Sequence, residues 1–143
     1  MNASGCGFPD AIRQCTDNAL MGEASPEQGR KWRMKVNNQW IRGIWSDDGG
    51  KTVCFPDQTK LPFRLEICRE GTSDALIRAI KSMQVRGAPL IGAAGAWAAA
   101  FLCREAETEE ELQEGLKRIA EARPTAVNLQ WAVRRVAAAS EGL

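Results

Sequence analysis

The chain has 143 residues, 44% of them hydrophobic, which is the length and apolar share of one globular domain built round a single core. Nineteen basic side chains against eighteen acidic leave a formal charge of +1, so neither a nucleic-acid tract nor an anchor for acidic membrane is expected. Five cysteines without a CxxC pair, in a chain with no histidine or tyrosine, argue for reduced thiols in the cytoplasm and against a zinc site; proton chemistry is left to carboxylates, thiols or lysine.

Residues 1–33 mix Gly, Ser, Asn, Pro and balanced charge without periodicity, and read as a disordered tail or an upstream extension of the reading frame. They contain no continuous apolar run of the kind a secretory signal carries. Arg30-Lys31-Trp32-Arg33, like Arg134-Arg135 further on, reads as a solvated face. Order begins at residue 34. Residues 36–45 and 51–55 flank Ser46-Asp47-Asp48-Gly49-Gly50 as the arms of a β-hairpin flank an Asp/Gly turn. Asp57-Gln58-Thr59-Lys60-Leu61-Pro62 is a polar connection closed by proline, and residues 63–69 alternate apolar and charged side chains as a third, half-buried strand does.

From residue 72 the period lengthens to about 3.6. Thr72 or Ser73 is placed to cap a helix whose inward stripe is Leu76, Ile77, Ile80 and Met83, with Gly87 and Pro89 closing it. Pro89 suits the first turn of a second helix that is apolar almost all round and rich in Gly and Ala, hence central; residues 89–103 are too short an apolar run to span a bilayer. Thr108 with Glu111 forms a capping-box pattern ahead of Leu112, Leu116, Ile119 and Ala120, a peripheral amphipathic helix. Pro124 is expected to begin the last helix, which carries Val127, Trp131 and Val136 toward Ala137.

Two segments carry the functional signal: Arg86-Gly87-Ala88-Pro89-Leu90-Ile91-Gly92 and Arg123-Pro124-Thr125-Ala126-Val127-Asn128. Each sets an arginine before a proline-led helix start. Unpaired N–H groups at a helix N-terminus, with a guanidinium beside them, make a cradle for phosphate. Taken singly, either segment reads equally as a turn that redirects the chain, with Gly87 relieving backbone strain and Arg86 in water. Their joint occurrence favours a phosphorylated ligand held where Arg86 and Arg123 adjoin those helix starts.

Across residues 34–135 the sequence resembles the S-methyl-5-thioribose-1-phosphate isomerases of methionine salvage. The likeness rests on Met34-Lys35-Val36, the Asp57-to-Pro62 block, Val85-Arg86-Gly87-Ala88-Pro89-Leu90-Ile91-Gly92 and Arg123-Pro124-Thr125-Ala126-Val127-Asn128-Leu129. Ribose-1,5-bisphosphate isomerases and regulatory subunits of the exchange factor for translation initiation factor two share the architecture with other versions of the Val85 block. The resemblance implies conversion of an aldose 1-phosphate to the open-chain ketose 1-phosphate without metal or diffusible cofactor, in a homodimeric enzyme. It puts Arg86, Gly87, Ala88 and Arg123 on substrate-binding positions. It assigns no catalytic residue here, because the family's thiol and carboxylate lie in a following Rossmann-like domain and none of Cys6, Cys15, Cys54, Cys68 or Cys103 matches that thiol.

The expected fold class is therefore α+β: a small antiparallel hairpin or three-strand element over residues 34–70, then a bundle of about four helices over 71–143. Together, residues 34–143 form a substrate-cradle domain expected to be inactive alone, with a small-molecule sugar phosphate as partner and no nucleic acid or membrane. A regulatory or scaffold protein of the same superfamily, or a plain helical interaction module, would also fit the helical half.

Overall fold

The computed structural model describes residues 33–36 and 39–141. The tail or extension expected over residues 1–33 thus lies, Arg33 excepted, outside the described residues.

Strand β1 (Arg33–Val36) pairs antiparallel with β2 (Gln39–Arg42), and β3 (Val53–Pro56) with β4 (Ile67–Glu70), as two separate two-stranded sheets. The hairpin expected between residues 36–45 and 51–55 is reduced to one bridge, in which Trp45 and Cys54 exchange backbone hydrogen bonds of 2.9 and 2.6 Å. Its turn does form. The Asp48 carboxylate accepts from the Thr52 hydroxyl at 2.5 Å, the Thr52 N–H at 3.0 Å and the Ser46 hydroxyl at 3.0 Å, while Gly49 and Gly50 take φ of 75° and 92°. The hydrogen bonds from Thr52, foremost among the causes, hold Asp48 well below the usual carboxylate range.

Past the bridge, β3 turns to β4 instead. All four of its residues are buried, and Phe55 stands opposite Cys68. The Arg69 guanidinium on β4 locks this pairing by gripping Asp47 with two bonds of 2.9 Å and the Thr52 hydroxyl with a third of 2.9 Å. The third strand accordingly starts at Ile67 rather than at residue 63, and Phe63 is 95% exposed.

Helix α1 (Ser73–Lys81) is capped by the Thr72 hydroxyl, which accepts from the Ala75 N–H at 3.2 Å. Ser73 donates its N–H and hydroxyl to the Glu105 carboxylate, at 2.9 and 2.5 Å. Leu76, Ile77 and Ile80 are buried as their spacing predicts. Met83 is not: the helix has ended, and Met83 has φ of 66° and stands 42% exposed.

Helix α2 (Ala88–Glu105) is the axis of the molecule, buried at every residue from 91 to 102 and packed against the other three helices. Its small residues permit this closeness. A Cβ added at Gly92 would lie 3.2 Å from the Asn128 Cβ and 3.3 Å from the Asn128 carbonyl oxygen, and one at Gly95 would strike the Leu129 side chain.

Helix α3 (Glu109–Glu121) takes the Thr108 cap, which accepts from the Glu111 N–H at 3.2 Å; the Glu111 carboxylate answers by accepting from the Glu107 N–H at 2.9 Å. Leu116 and Ile119 are buried there, and Leu112 is half-buried.

Helix α4 (Val127–Glu141) begins at Val127, so Pro124 lies in the preceding turn rather than in the helix. Of the three apolar residues singled out along it, two are exposed and Val136 is buried. Val127 is 75% and Trp131 44% exposed, whereas Leu129, Ala132, Val133 and Val136 are buried. The face of α4 that meets the small residues of α2 is the one that goes inside.

The architecture is α+β, with small antiparallel sheets first and four helices after. Among the described residues no helix is long and apolar enough to cross a membrane.

Candidate phosphate-binding site

Where the link into α2 meets the connection between α3 and α4, a cavity of about 350 Å³ opens, lined by Met83, Arg86, Gly87, Ala88, Ile91, Arg123, Thr125 and Ala126. All four residues expected to bind ligand border it. Arg86 immediately precedes Gly87, the N-cap of α2, whose φ of 91° is readily adopted only without a Cβ. Having no side chain, Gly87 caps none of the first-turn N–H groups, which leaves that helix end electropositive.

Arg123 reaches the cavity differently from the expectation. It follows Ala122, the C-cap of α3, and its carbonyl accepts the Ala126 N–H at 3.0 Å, so the segment is a tight helix-to-helix turn. Only Arg86 adjoins a helix N-terminus directly.

The electrostatics are one-sided. Among the described residues the arginines in ion pairs are Arg64, Arg69 and Arg118; Arg86 and Arg123 are in none. The lining supplies two cations and no carboxylate, thiol or amine. Such a surface attracts an anion and has no group that could shuttle a proton near neutral pH. Cys54 and Cys68 lie in the strands instead, where burial pushes both thiols up, away from the reactive thiolate. Among the described residues no cluster of three metal-ligating side chains occurs.

Sequence reasoning passed over what supports Arg86. Asp57, only 3% exposed, accepts from the Thr59 N–H at 3.0 Å, the Thr59 hydroxyl at 2.5 Å and the Gln84 amide at 3.0 Å. Gln58 donates its N–H to the Gln84 carbonyl at 3.0 Å and its side-chain amide to the Arg86 carbonyl at 3.3 Å. The signal was present in Asp57-Gln58-Thr59, because an Asp that bonds the N–H two residues on is an Asx-turn. Met83, Ile91, Thr125 and Ala126 were likewise not assigned to the site; their place in the lining depends on how the helices pack.

Burial works to raise the Asp57 carboxyl, but the hydrogen bonds from Thr59 and Gln84 outweigh it, and the group titrates below its ordinary value of 3.8. A carboxyl depressed in the folded state stabilises the fold at any pH above its unfolded pKa. That contribution disappears as pH falls through the lower folded value. The stability advantage of the native chain over Asp57→Asn, read as urea midpoints, is thus expected to shrink toward acid. A constant difference from neutral to strongly acidic pH would refute the assignment.

Comparison with known proteins gives this geometry a context. No family model matches the chain. Two solved structures share its fold: 5-methylthioribose 1-phosphate isomerase from Pyrococcus horikoshii, with a TM-score of 0.63 and 29% identity over 71% of this chain and 30% of that one, and translation initiation factor eIF-2B, subunit delta, from A. fulgidus, with 0.51 and 35% over 71% and 37%. The fold is thus of a class that holds both a sugar-phosphate isomerase and an initiation-factor subunit. Among curated relatives, the methylthioribose-1-phosphate isomerase of Desulfatibacillum aliphaticivorans is 48% identical over 111 residues, which are 74% of this chain and 30% of that protein. The isomerase of Acidiphilium cryptum is 43% identical over 104 residues, 72% of this chain and 28% of the relative. The chain belongs to the methylthioribose-1-phosphate isomerase family, and it spans about three tenths of the length of the curated relatives it matches.

Proposed function

We propose that this chain holds the phosphate end of S-methyl-5-thioribose 1-phosphate in a cytoplasmic, homodimeric enzyme that isomerises it to S-methyl-5-thioribulose 1-phosphate in methionine salvage. The observation that carries this reading is the pair of arginines, free of ion pairs among the described residues, on opposite sequence segments of one cavity. A phosphate between them would take charge-assisted hydrogen bonds from both guanidinium groups and lie against the N-terminus of α2. The family relatives supply the choice of phosphate ester.

Holding is not turning over. An aldose 1-phosphate has its anomeric carbon blocked, so ring opening and the shift of the carbonyl need groups that move a proton or hydride, and the cavity lining offers none. The 143 residues alone are therefore expected to bind the ester without isomerising it. Calorimetric titration with S-methyl-5-thioribose 1-phosphate, alongside a ketose assay on the same sample, tests both halves. Absence of binding defeats the site, and product formation by the purified polypeptide defeats the division of labour.

The likeness to the initiation-factor subunit supports a second reading, a regulatory protein that binds a sugar phosphate without chemistry. The longest cellular polypeptide that carries these residues separates the two: ketose formation supports the isomerase, and ligand binding without product supports the regulator.

A further inference from the structure

We propose that Gln58, anchored through Asp57 and Gln84, is a positioning residue that locks the Arg86–Gly87 peptide with its carbonyl turned toward Gln58 and its N–H left for phosphate, a role that rests on the function proposed above. The link between α1 and α2 holds two left-handed residues, Met83 with φ of 66° and Gly87 with φ of 91°. A non-glycine residue in that region is held at an energetic cost, so the surroundings must over-determine the backbone there. They do. The Val85 N–H reaches the Ala79 carbonyl at 3.4 Å, the Gln84 side chain is tied to the buried Asp57, and the carbonyls of Gln84 and Arg86 both accept from Gln58.

The bond from the Gln58 side chain to the Arg86 carbonyl has a directional consequence. In a planar trans peptide the C=O and N–H point opposite ways, so a carbonyl fixed toward Gln58 sends the Gly87 N–H to the other side. Gly87 lines the cavity and Gln58 does not. Glycine would let this peptide rotate with little steric penalty, and a rotated peptide would meet a phosphate with a carbonyl lone pair. The amide of Gln58 closes off that rotation. Its own root is firm, because Asp57 donates its N–H to the Glu66 carbonyl at 2.8 Å and its carboxylate is filled by Thr59 and Gln84.

The test uses the full chain labelled with nitrogen-15 and inorganic phosphate as the probe, with the amide resonances of Gly87 and Ala88 as readout. Gln58→Met keeps size and neutrality, removes the donor, and leaves the backbone bond to Gln84 in place, so the fold is retained; thermal melting checks this. The variant is expected to bind phosphate about three- to tenfold more weakly, the factor for one ordinary hydrogen bond, and to shift or broaden the Gly87 resonance before any phosphate is added. Native affinity and an unmoved Gly87 resonance in Gln58→Met, with binding still lost in Arg86→Ala, would overturn this role and leave the site standing. No phosphate response in the native chain, or one indifferent to Arg86→Ala, would overturn both.

Discussion

Replacing Arg86 by alanine is expected to weaken the hold on the phosphate ester by about 1.5–3 kcal/mol, the range for a hydrogen bond to a charged group, or about ten- to 150-fold in dissociation constant. Arg86 is exposed and has no ion-pair partner among the described residues, so its removal strands no carboxylate and leaves the fold's stability alone. The whole loss should therefore read as affinity. Arg123→Ala is expected to act similarly, and the double variant to lose less than the sum, since both guanidinium groups serve one anion. Arg86→Lys should fall between, keeping charge but giving up two-pronged geometry. Calorimetric titration of these proteins with S-methyl-5-thioribose 1-phosphate decides the matter; a dissociation constant unchanged in Arg86→Ala would remove Arg86 from the site.

The second large effect belongs to the core. Leu129, with no exposed surface, packs where Gly95 of α2 has no side chain. Leu129→Ala should destabilise the protein by about 2–5 kcal/mol, toward the upper end because a glycine opposite has nothing to move into the void. Gly95→Ala alone should also destabilise, since its Cβ meets the Leu129 side chain. Combined, they partly cancel, because the new methyl group occupies space that the leucine has left. Urea denaturation of the four proteins would show it. Additivity within about 0.5 kcal/mol, as for sites that do not touch, would contradict the packing described.

Local chemistry was the readable part of the sequence. Thr72 and Thr108 cap their helices where an N-terminal hydroxyl ahead of an apolar stripe predicts, and the centrality of α2 follows from its near-continuous small and apolar residues. Three features were settled by packing. Along α4 apolar residues occur on more than one side, so Val127 and Trp131 are as plausible inward as Leu129 and Val133 until Gly92 and Gly95 of α2 receive Asn128 and Leu129 and fix which face goes in. The Asp/Gly turn is visible in residues 46–50, yet the partner of β3 is decided by Arg69 reaching back to Asp47, a bond between residues far apart in sequence. For the site, Arg86 and Arg123 could be picked out as a recurring pattern, but their shared cavity comes from the way α2 and α4 lie together. The Asp57 and Gln58 clamp was missed because a polar stretch between two strands looks like a connector, whatever its side chains grip.

The burial of α2 along most of its length has a bearing on how an occupant would be received. Ala88 and Ile91 stand at the end of a rod whose neighbours leave it almost no room to tilt or slide. A pocket floored by so stiff a member is shaped in advance, and little of the interaction energy is consumed in moulding it. The same stiffness works against a broadened choice of guest: a bulkier molecule cannot displace α2 and would have to fit within the clearance set by the side chains of Met83, Arg86 and Arg123.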